Sequence, residues 1–468
     1  MGAPRKPWLL LIAVALVPSI DAVARLGRLH PDEVFQSLEP ALRQAFGYGT
    51  QAWEWRVGLR NWFIPDVFSL FLRLGHLVGL DDPWARRALL ELPQFALNLA
   101  MLAAAHRFAA RRIGATTAKW AIVLLLGWGP WVWFAGRTMS ESISTALLVC
   151  ALERLDDDTV DAWGALGAGT LLGFAEVTRY GSAAVILPVL IFLAARGRFV
   201  ALRATILGGG IVALELGLLD RLTWGHWFHS LREYVHFNLL TGGASSFGRL
   251  PPHWYLTHAW VGPLGILAVG LWAWRRDRSL RSWLFASASL TYLLAISVTE
   301  HKELRFLYPA LTLMLVAVAP AFVRFAMTHR LIAAGALASS LLLYLVKTPY
   351  DVERSDLFRA TIAAGRTGSG LLLINEGPWG SGGSFYLGKD LPWVACPEPE
   401  SPCVDDSIHR PGMDRTLYVV DVDDPARENR IRTALQGAGF EERQRVGDIA
   451  VFERASGFET TIKPFKQR

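Results

Sequence analysis

Eleven apolar runs dominate this sequence, near 7–27, 88–105, 119–135, 140–152, 161–178, 183–195, 204–220, 258–274, 282–299, 304–323 and 331–346. A helical crossing of a bilayer needs about 20 mostly apolar residues, and hydrocarbon leaves no backbone polar group a partner outside its own helix. A chain patterned in this way is confined to a polytopic α-helical membrane protein. Composition agrees, with 52% hydrophobic and 19% charged residues over 468 positions and a mean hydropathy of +0.29. The formal charge of +6 does not imply nucleic acid, because the basic residues sit in short clusters between apolar runs. The first run leads straight into an acidic motif and is read as a retained helix.

The connections alternate between two classes. One is basic: Arg5/Lys6, Arg107/Arg111/Arg112/Lys119, Arg196/Arg198/Arg203, Arg275/Arg276/Arg278/Arg281 and Arg324/Arg330. Its exception is 153–161, where Asp156, Asp157 and Asp158 accompany Arg154, but acids count little in orientation. The other class holds 28–87, 136–139, 179–182, 221–257, 300–303 and the tail from 347. The positive-inside rule places the basic class in the cytoplasm and the second class outside. With eleven spans the N-terminus is inside and the tail outside. No Asn-x-Ser/Thr sequon occurs, and the composition is rich in Ala, Arg and Gly. Both lean towards a bacterial inner membrane with a periplasmic site; in a eukaryote the equivalent is the endoplasmic reticulum lumen.

Histidine, tryptophan and acids concentrate in the outer class. His30-Pro31-Asp32-Glu33, with Gln36 beyond, follows the first span directly. Paired carboxylates at a membrane boundary suit a general-base site, because desolvation and mutual repulsion tune them. They equally suit a helix start, with acids at the positive end of the dipole and proline in the first turn. Residues 35–46 and 63–80 have Phe and Leu at helical spacing broken by charges, as in amphipathic helices at an interface. Between them, Trp53-Glu54-Trp55-Arg56 fits an aromatic belt or a sugar-stacking pair around a carboxylate.

The second long outer loop, 221–257, carries His226, His229, His236, Asn238, His253 and Trp254. The histidine spacing is irregular, and no His-x-x-x-His pair shares a helix face with a carboxylate, so no metal is expected. His301-Lys302-Glu303-Leu304-Arg305 places ionisable groups where two spans meet, a costly position that is usually functional. Lys302 and Arg305 suit a phosphate, as a point charge and a planar fork. Snorkelling at a helix end is the alternative for Lys302. From about 351 the composition shifts to a small α/β domain, with strands expected at 371–375, 393–396, 416–421 and 449–453 and a helix at 425–438. Cys396 and Cys403 flank a proline-rich hexapeptide there and are a candidate disulfide in an oxidising compartment; Cys150 is read as a core residue. The segment 377–383 is read as a loop.

Taken in order, these motifs resemble those of glycosyltransferase family 22, over residues 28 to about 325. The resemblance is carried by His30-Pro31-Asp32-Glu33 with Gln36 and Leu38-Glu39, then Trp53-Glu54-Trp55-Arg56, then Gly136-Arg137-Thr138 with Ser140 and Glu141. It continues through Thr178-Arg179-Tyr180, Phe237-Asn238, Ser245-Ser246-Phe247-Gly248, His253-Trp254-Tyr255 and His301-Lys302-Glu303-Leu304-Arg305-Phe306. The subgroup it is most similar to adds the third mannose of the glycosylphosphatidylinositol anchor. Pro40-Ala41-Leu42 and Tyr180 depart from the family pattern, so the acceptor stays open.

The resemblance implies the GT-C architecture and inverting transfer of mannose from an isoprenoid-phosphate donor to a glycolipid or lipid-linked glycan. It implies Asp32 as base and Glu33 as its neighbour in the catalytic pair, with His301, Lys302 and Arg305 on the donor phosphate. His30, Gln36, Trp53, Glu54, Arg56, Arg137, Arg179, Asn238, Trp254 and Glu303 are implied as substrate-binding residues. Membrane lipids are the surroundings, and neither a cofactor nor nucleic acid is expected. The expected domains are 1–346, containing the external loops 28–87 and 221–257, and 351–468. The alternatives are a related transferase using another lipid-phosphate sugar or a protein acceptor, and a polytopic transporter. A transporter places its charges near mid-bilayer, often with repeat symmetry.

Overall fold

The computed structural model describes residues 7–346, 353–367 and 370–455. Arg5, Lys6 and the expected domain boundary near 347–351 lie outside the described residues. The chain divides into two compact units. One comprises Met1–Ala22, Trp53–Ile64 and Glu91–Asp351; the other comprises Val23–Ala52, Pro65–Leu90 and Val352–Arg468.

The first unit is helical. Each of the eleven apolar runs carries a helix, from Trp8–Ala24 through Ser140–Leu155 and Ala162–Thr178 to Arg330–Val346. Pro83–Ile113, Phe199–Thr223 and Leu304–Thr328 are long and apolar enough to cross a membrane. Ala115–Leu126 and Gly129–Ala135 make a fourth span if counted together, bent by 85°. The bend follows from sequence: Gly127 ends one helix, and Pro130 near the start of the next lacks the donor needed to continue it. Trp8–Ala24, Tyr180–Ala195, Trp283–Val298 and Arg330–Leu343 are apolar but shorter. Among the described residues, length and composition therefore give three or four spans, against the eleven runs. Unbroken helices such as Trp8–Ala24 and Trp283–Val298 hold only 17 and 16 residues, and turns such as Tyr180–Val185 divide other runs.

Small residues bring two of these helices together. A Cβ on Gly169 would meet the Thr205 carbonyl, and one on Gly208 would meet that of Leu166. Ala162–Thr178 and Phe199–Thr223 thus pack backbone to backbone, as membrane helices do where glycine lines the contact. Leu307–Thr328 is buried along most of its length, with Leu313, Leu315, Val316, Val318 and Ala321 in the core.

The second unit contains a five-stranded sheet in the order β2-β1-β3-β5-β4, where β1 is Leu371–Ile374, β2 Trp393–Cys396, β3 Arg415–Val419, β4 Phe440–Val446 and β5 Ile449–Arg454. β1 runs parallel to β2 and β3; β5 is antiparallel to β3 and β4. The two-residue period of a strand sends Leu372 and Ile374 to one core with Ile431 and Leu435, and Leu371 and Leu373 to another with Leu357 and Ala360. β4 was not expected from sequence. Its residues Glu441 to Arg445 are exposed and charged, as suits the edge of a sheet, so it has no apolar alternation to read.

Cys396 and Cys403 are joined by a disulfide, with Cα atoms 5.7 Å apart. Closing so short a loop contributes about 2 kcal/mol in the chain-entropy account. We therefore predict that Cys396→Ser with Cys403→Ser lowers the thermal midpoint without preventing folding. Alkylation of both thiols in folded, unreduced wild type would refute the bond.

Candidate active site

In the helical unit the site is built on one buried acid. Glu141 opens the helix Ser140–Leu155 and is almost wholly enclosed. Its Oε1 lies 3.0 Å from Arg179 Nη1 and 3.4 Å from Arg305 Nη1. Arg179, which caps the C-terminal end of Ala162–Thr178, also donates from Nε to the Tyr292 hydroxyl (2.9 Å) and from Nη1 to Ser140 Oγ (3.2 Å). Arg305 lies in a 3₁₀ turn, Leu304–Phe306, leading into the helix Leu307–Thr328. It grips Glu303 with two bonds, Nε to Oε2 at 2.6 Å and Nη2 to Oε1 at 3.1 Å. His301 Nε2 meets the same Glu303 Oε1 at 2.8 Å. The Phe306 ring lies under both guanidinium groups, 4.8 Å from Arg179 and 5.1 Å from Arg305.

This acid–base chain continues into an aromatic wall. The His301 ring packs edge-on to Phe247 (5.8 Å), which stacks on Trp53 (5.9 Å), itself 5.2 Å from Phe237. Tyr255 donates its hydroxyl to the Glu303 carbonyl (3.3 Å). Trp254 adjoins it, edge-on to Tyr255 and stacked on His258 at 4.1 Å. Lys302 is buried and donates to the Thr299 carbonyl; burial pulls its ammonium below the ordinary lysine range, with Glu300 opposing. Arg137 is fully buried three residues before the Glu141 helix, where Gly136 lets the Pro18 carbonyl approach.

The other expected residues of this unit take distinct places. Glu54 accepts from Arg60 (2.7 Å), Arg56 is exposed, and Asn238 donates to the Tyr234 carbonyl of its own helical turn (3.0 Å). His229 stacks on Trp224 and His226. Among the described residues no three His, Cys, Asp or Glu side chains converge as a metal site. Sequence reasoning quoted Glu141 and Phe306 within motifs without choosing them, and it passed over Tyr292. The signal for Glu141 was present: a carboxylate at the head of an apolar run needs a cation.

The second unit holds the first-loop acids. Pro31 leads into a π-helical turn, Glu33–Leu38, a form often found at functional sites. Glu33 is buried, accepts from the Leu29 amide (3.3 Å) and lies 3.8 Å from the equally buried Arg87. Asp32 keeps a quarter of its side chain exposed, and His30 about as much. His30 Nδ1 is 3.2 Å from both the Asp32 amide and Asp32 Oδ1. The Asp32 amide donates to this ring nitrogen, which holds the imidazole beside the Asp32 carboxylate. Gln36 is half-buried on the same turn. Of the two acids, the locked one is Glu33 and the accessible one is Asp32.

Comparison with known proteins adds the relatives. The Alg9-like mannosyltransferase family matches residues 8–350. Mannosyltransferase APTG1 of Arabidopsis thaliana is 28% identical over 337 residues, covering 68% of this chain and 58% of that protein. GPI mannosyltransferase 3 of Yarrowia lipolytica is 29% identical over 326 residues, covering 67% and 62%. GPI alpha-1,2-mannosyltransferase 3 of Homo sapiens is 27% identical over 311 residues, covering 64% and 54%. The chain thus spans less than two thirds of these relatives' length. In three dimensions it is similar to ArnT from Cupriavidus metallidurans bound to undecaprenyl phosphate, with a TM-score of 0.60 at 15% identity over 97% of this chain and 99% of that one. That likeness establishes the GT-C fold.

Removing one partner from a buried ion cluster leaves uncompensated charge, which costs roughly 3–5 kcal/mol. Glu141→Gln, which strands Arg179, is predicted to lower the thermal midpoint in detergent by several degrees. Glu300→Gln, on the exposed Glu300–Arg249 pair, should leave it unchanged. Equal midpoints for the two variants would refute Glu141 as the keystone.

Proposed function

Because this integral membrane chain belongs to the Alg9-like mannosyltransferase family, we propose that it transfers mannose, with inversion, from an isoprenoid-phosphate donor to a glycolipid or lipid-linked glycan on the external membrane face. The observation that carries the reading is the cation cluster of Arg179, Arg305 and His301 held by Glu141 and Glu303 beside the Trp53–Phe247 wall. Inverting transfer needs three things: a base for the acceptor hydroxyl, a surface for the sugar, and positive charge for the departing phosphate.

In the proposed step an acceptor oxygen attacks the anomeric carbon while the bond from that carbon to the donor phosphate oxygen breaks. The hydroxyl proton passes to Asp32, whose partial exposure suits the role better than the enclosed Glu33. Glu33, held by Arg87, positions the turn. The phosphate leaves with one more negative charge than it had in the donor ester. Arginine and histidine, with the nearby Lys302, suit that charge, so the reading assigns no metal. Trp53 and Phe247 offer faces on which a sugar ring stacks. Membrane lipids supply both substrates. The eleven-span topology, with the basic loops cytoplasmic and the tail external, belongs to the same reading.

The direct test is incubation of membranes holding the protein with radiolabelled polyprenyl-phosphate mannose, followed by identification of the labelled product. Asp32→Asn keeps size but loses the basic oxygen, and is expected to lower kcat by roughly two to four orders of magnitude with little change in donor affinity. Lys302→Ala and Arg305→Ala should weaken donor binding as well as turnover. If Asp32→Asn stays active while Glu33→Gln does not, the base is Glu33.

Sidedness has its own test. Cysteines placed at Ser246 and Arg278 should react with an impermeant thiol reagent from opposite sides of sealed vesicles. Labelling of both from one side would overturn the topology.

A further inference from the structure

A second buried acid joins two distant parts of the unit that carries Asp32. Glu39 stands where the π-helical turn Glu33–Leu38 passes into the helix Glu39–Phe46, and it has no exposed surface. One carboxyl oxygen accepts the Thr50 amide, and the other accepts the Phe385 amide at 2.6 Å. The Ser384 hydroxyl completes the set. Gly383 makes room: its φ is +63°, and a Cβ there would sit 2.6 Å from Glu39 Oε1.

Further attachments fasten one or other of these two segments. The Trp379 ring meets Phe35 edge-on at 4.9 Å, and the Trp379 carbonyl accepts from Arg28. Arg28 also forms a backbone bridge with Glu353. Arg86 donates to the Gly388 carbonyl at 3.4 Å. The stretch fastened in this way, 28–39, includes Asp32.

We infer that Glu39 is a positioning residue, whose carboxyl clasps the segment 376–388 to the turn bearing Asp32 so that this segment sets where the Asp32 carboxylate stands. The inference rests on the mannosyl transfer proposed above.

The clasp has a pH signature. Burial pushes the Glu39 carboxyl up to about 7, against the pull of the Thr50, Phe385 and Ser384 hydrogen bonds. The titratable groups on the elements packed round it are engaged elsewhere: Glu33 with Arg87, Arg43 with the Gly49 carbonyl, Arg86 with Tyr48 and Asp81, Glu376 with Arg354, and Tyr386 against Phe358. An acid whose folded value is raised favours the neutral form in the folded state. Its contribution is complete below the unfolded value and is lost as pH rises through about 7. Both forms accept the two amides and the Thr50 and Ser384 hydroxyls, but the ionised form is buried without a countercharge.

The test combines hydrogen exchange at the Thr50 and Phe385 amides, corrected for intrinsic rates, with transfer kinetics from polyprenyl-phosphate mannose between about pH 4.5 and 8.5. In wild type, protection should fall as pH rises from the ordinary glutamate value towards 7, approaching tenfold per pH unit, and level off above it, while kcat falls as the carboxyl ionises through about 7. Glu39→Gln, which cannot ionise, should remove the pH step. Glu39→Ala should lose protection at every pH and lower kcat by about 10–100-fold, with donor KM changed by no more than about twofold. Trp379→Ala, at a half-exposed ring, should lower kcat in the same direction and keeps the test decisive if Glu39→Ala fails to fold. Unchanged kcat in Trp379→Ala, with the wild-type pH step retained in Glu39→Gln, overturns the inference. Absence of transfer by wild type with normal exchange protection overturns the proposed reaction instead.

Discussion

A carboxylate enclosed by apolar helices must draw its neutralising charge from other parts of the chain, and Glu141 places that demand at the centre of the helical unit. Arg179 answers it from the end of Ala162–Thr178, and Arg305 from the turn that enters Leu307–Thr328. Tyr292, on Trp283–Val298, holds Arg179 from a further side. Four helices are thereby tied at one end of the bundle. The same helix carries Glu153, about 18 Å along its axis from Glu141. There Arg107 and Arg111 from Pro83–Ile113 converge on a second buried carboxylate. One helix, which as an apolar run is too short to declare itself a span, is pinned by ion pairs at both ends.

The way its charges are held gives this arrangement its chemical meaning. Glu141 and Glu303 balance Arg179 and Arg305, while the buried Lys302 has Glu300 as its opposite charge. The acids orient the guanidinium groups, and Phe306 backs both on one face. A site preorganised in this way stabilises an anion without reorganising as it forms, which is the usual source of electrostatic catalysis. Such a distribution fits the departing phosphate of the proposed reaction.

In the other unit the organising principle is enclosure of acids by backbone amides and a single arginine. Glu33 and Glu39 are both buried, three residues either side of the half-exposed Gln36, yet they do different work. Glu33 has a cation in Arg87; Glu39 has amide donors and a neighbouring hydroxyl. Burial, with no countercharge within its hydrogen-bond set, is what moves Glu39 towards neutrality. A glycine and an exposed tryptophan in a plain surface segment complete the clasp.

The sequence by itself determined the class of protein and most of its elements. Apolar runs can be read without partners because a bilayer acts on each helix separately, and every run is a helix in the structure. Four of the five strands were legible from their buried β-branched, leucine and aromatic residues, while β4 was not, because an exposed edge needs no apolar face. The residues of the candidate site were visible as charges beside hydrocarbon, a position that is costly wherever it occurs. Their pairing was not visible. Nothing in the spacing of Glu141, Arg179 and Arg305 says that one carboxylate serves both guanidiniums, and a run from Gly377 to Gly383 reads as any loop until Glu39 is found against it. Helix and strand follow from local periodicity and solvent, whereas the choice of partner for a buried charge is made by whichever distant segment the tertiary fold brings within hydrogen-bond reach.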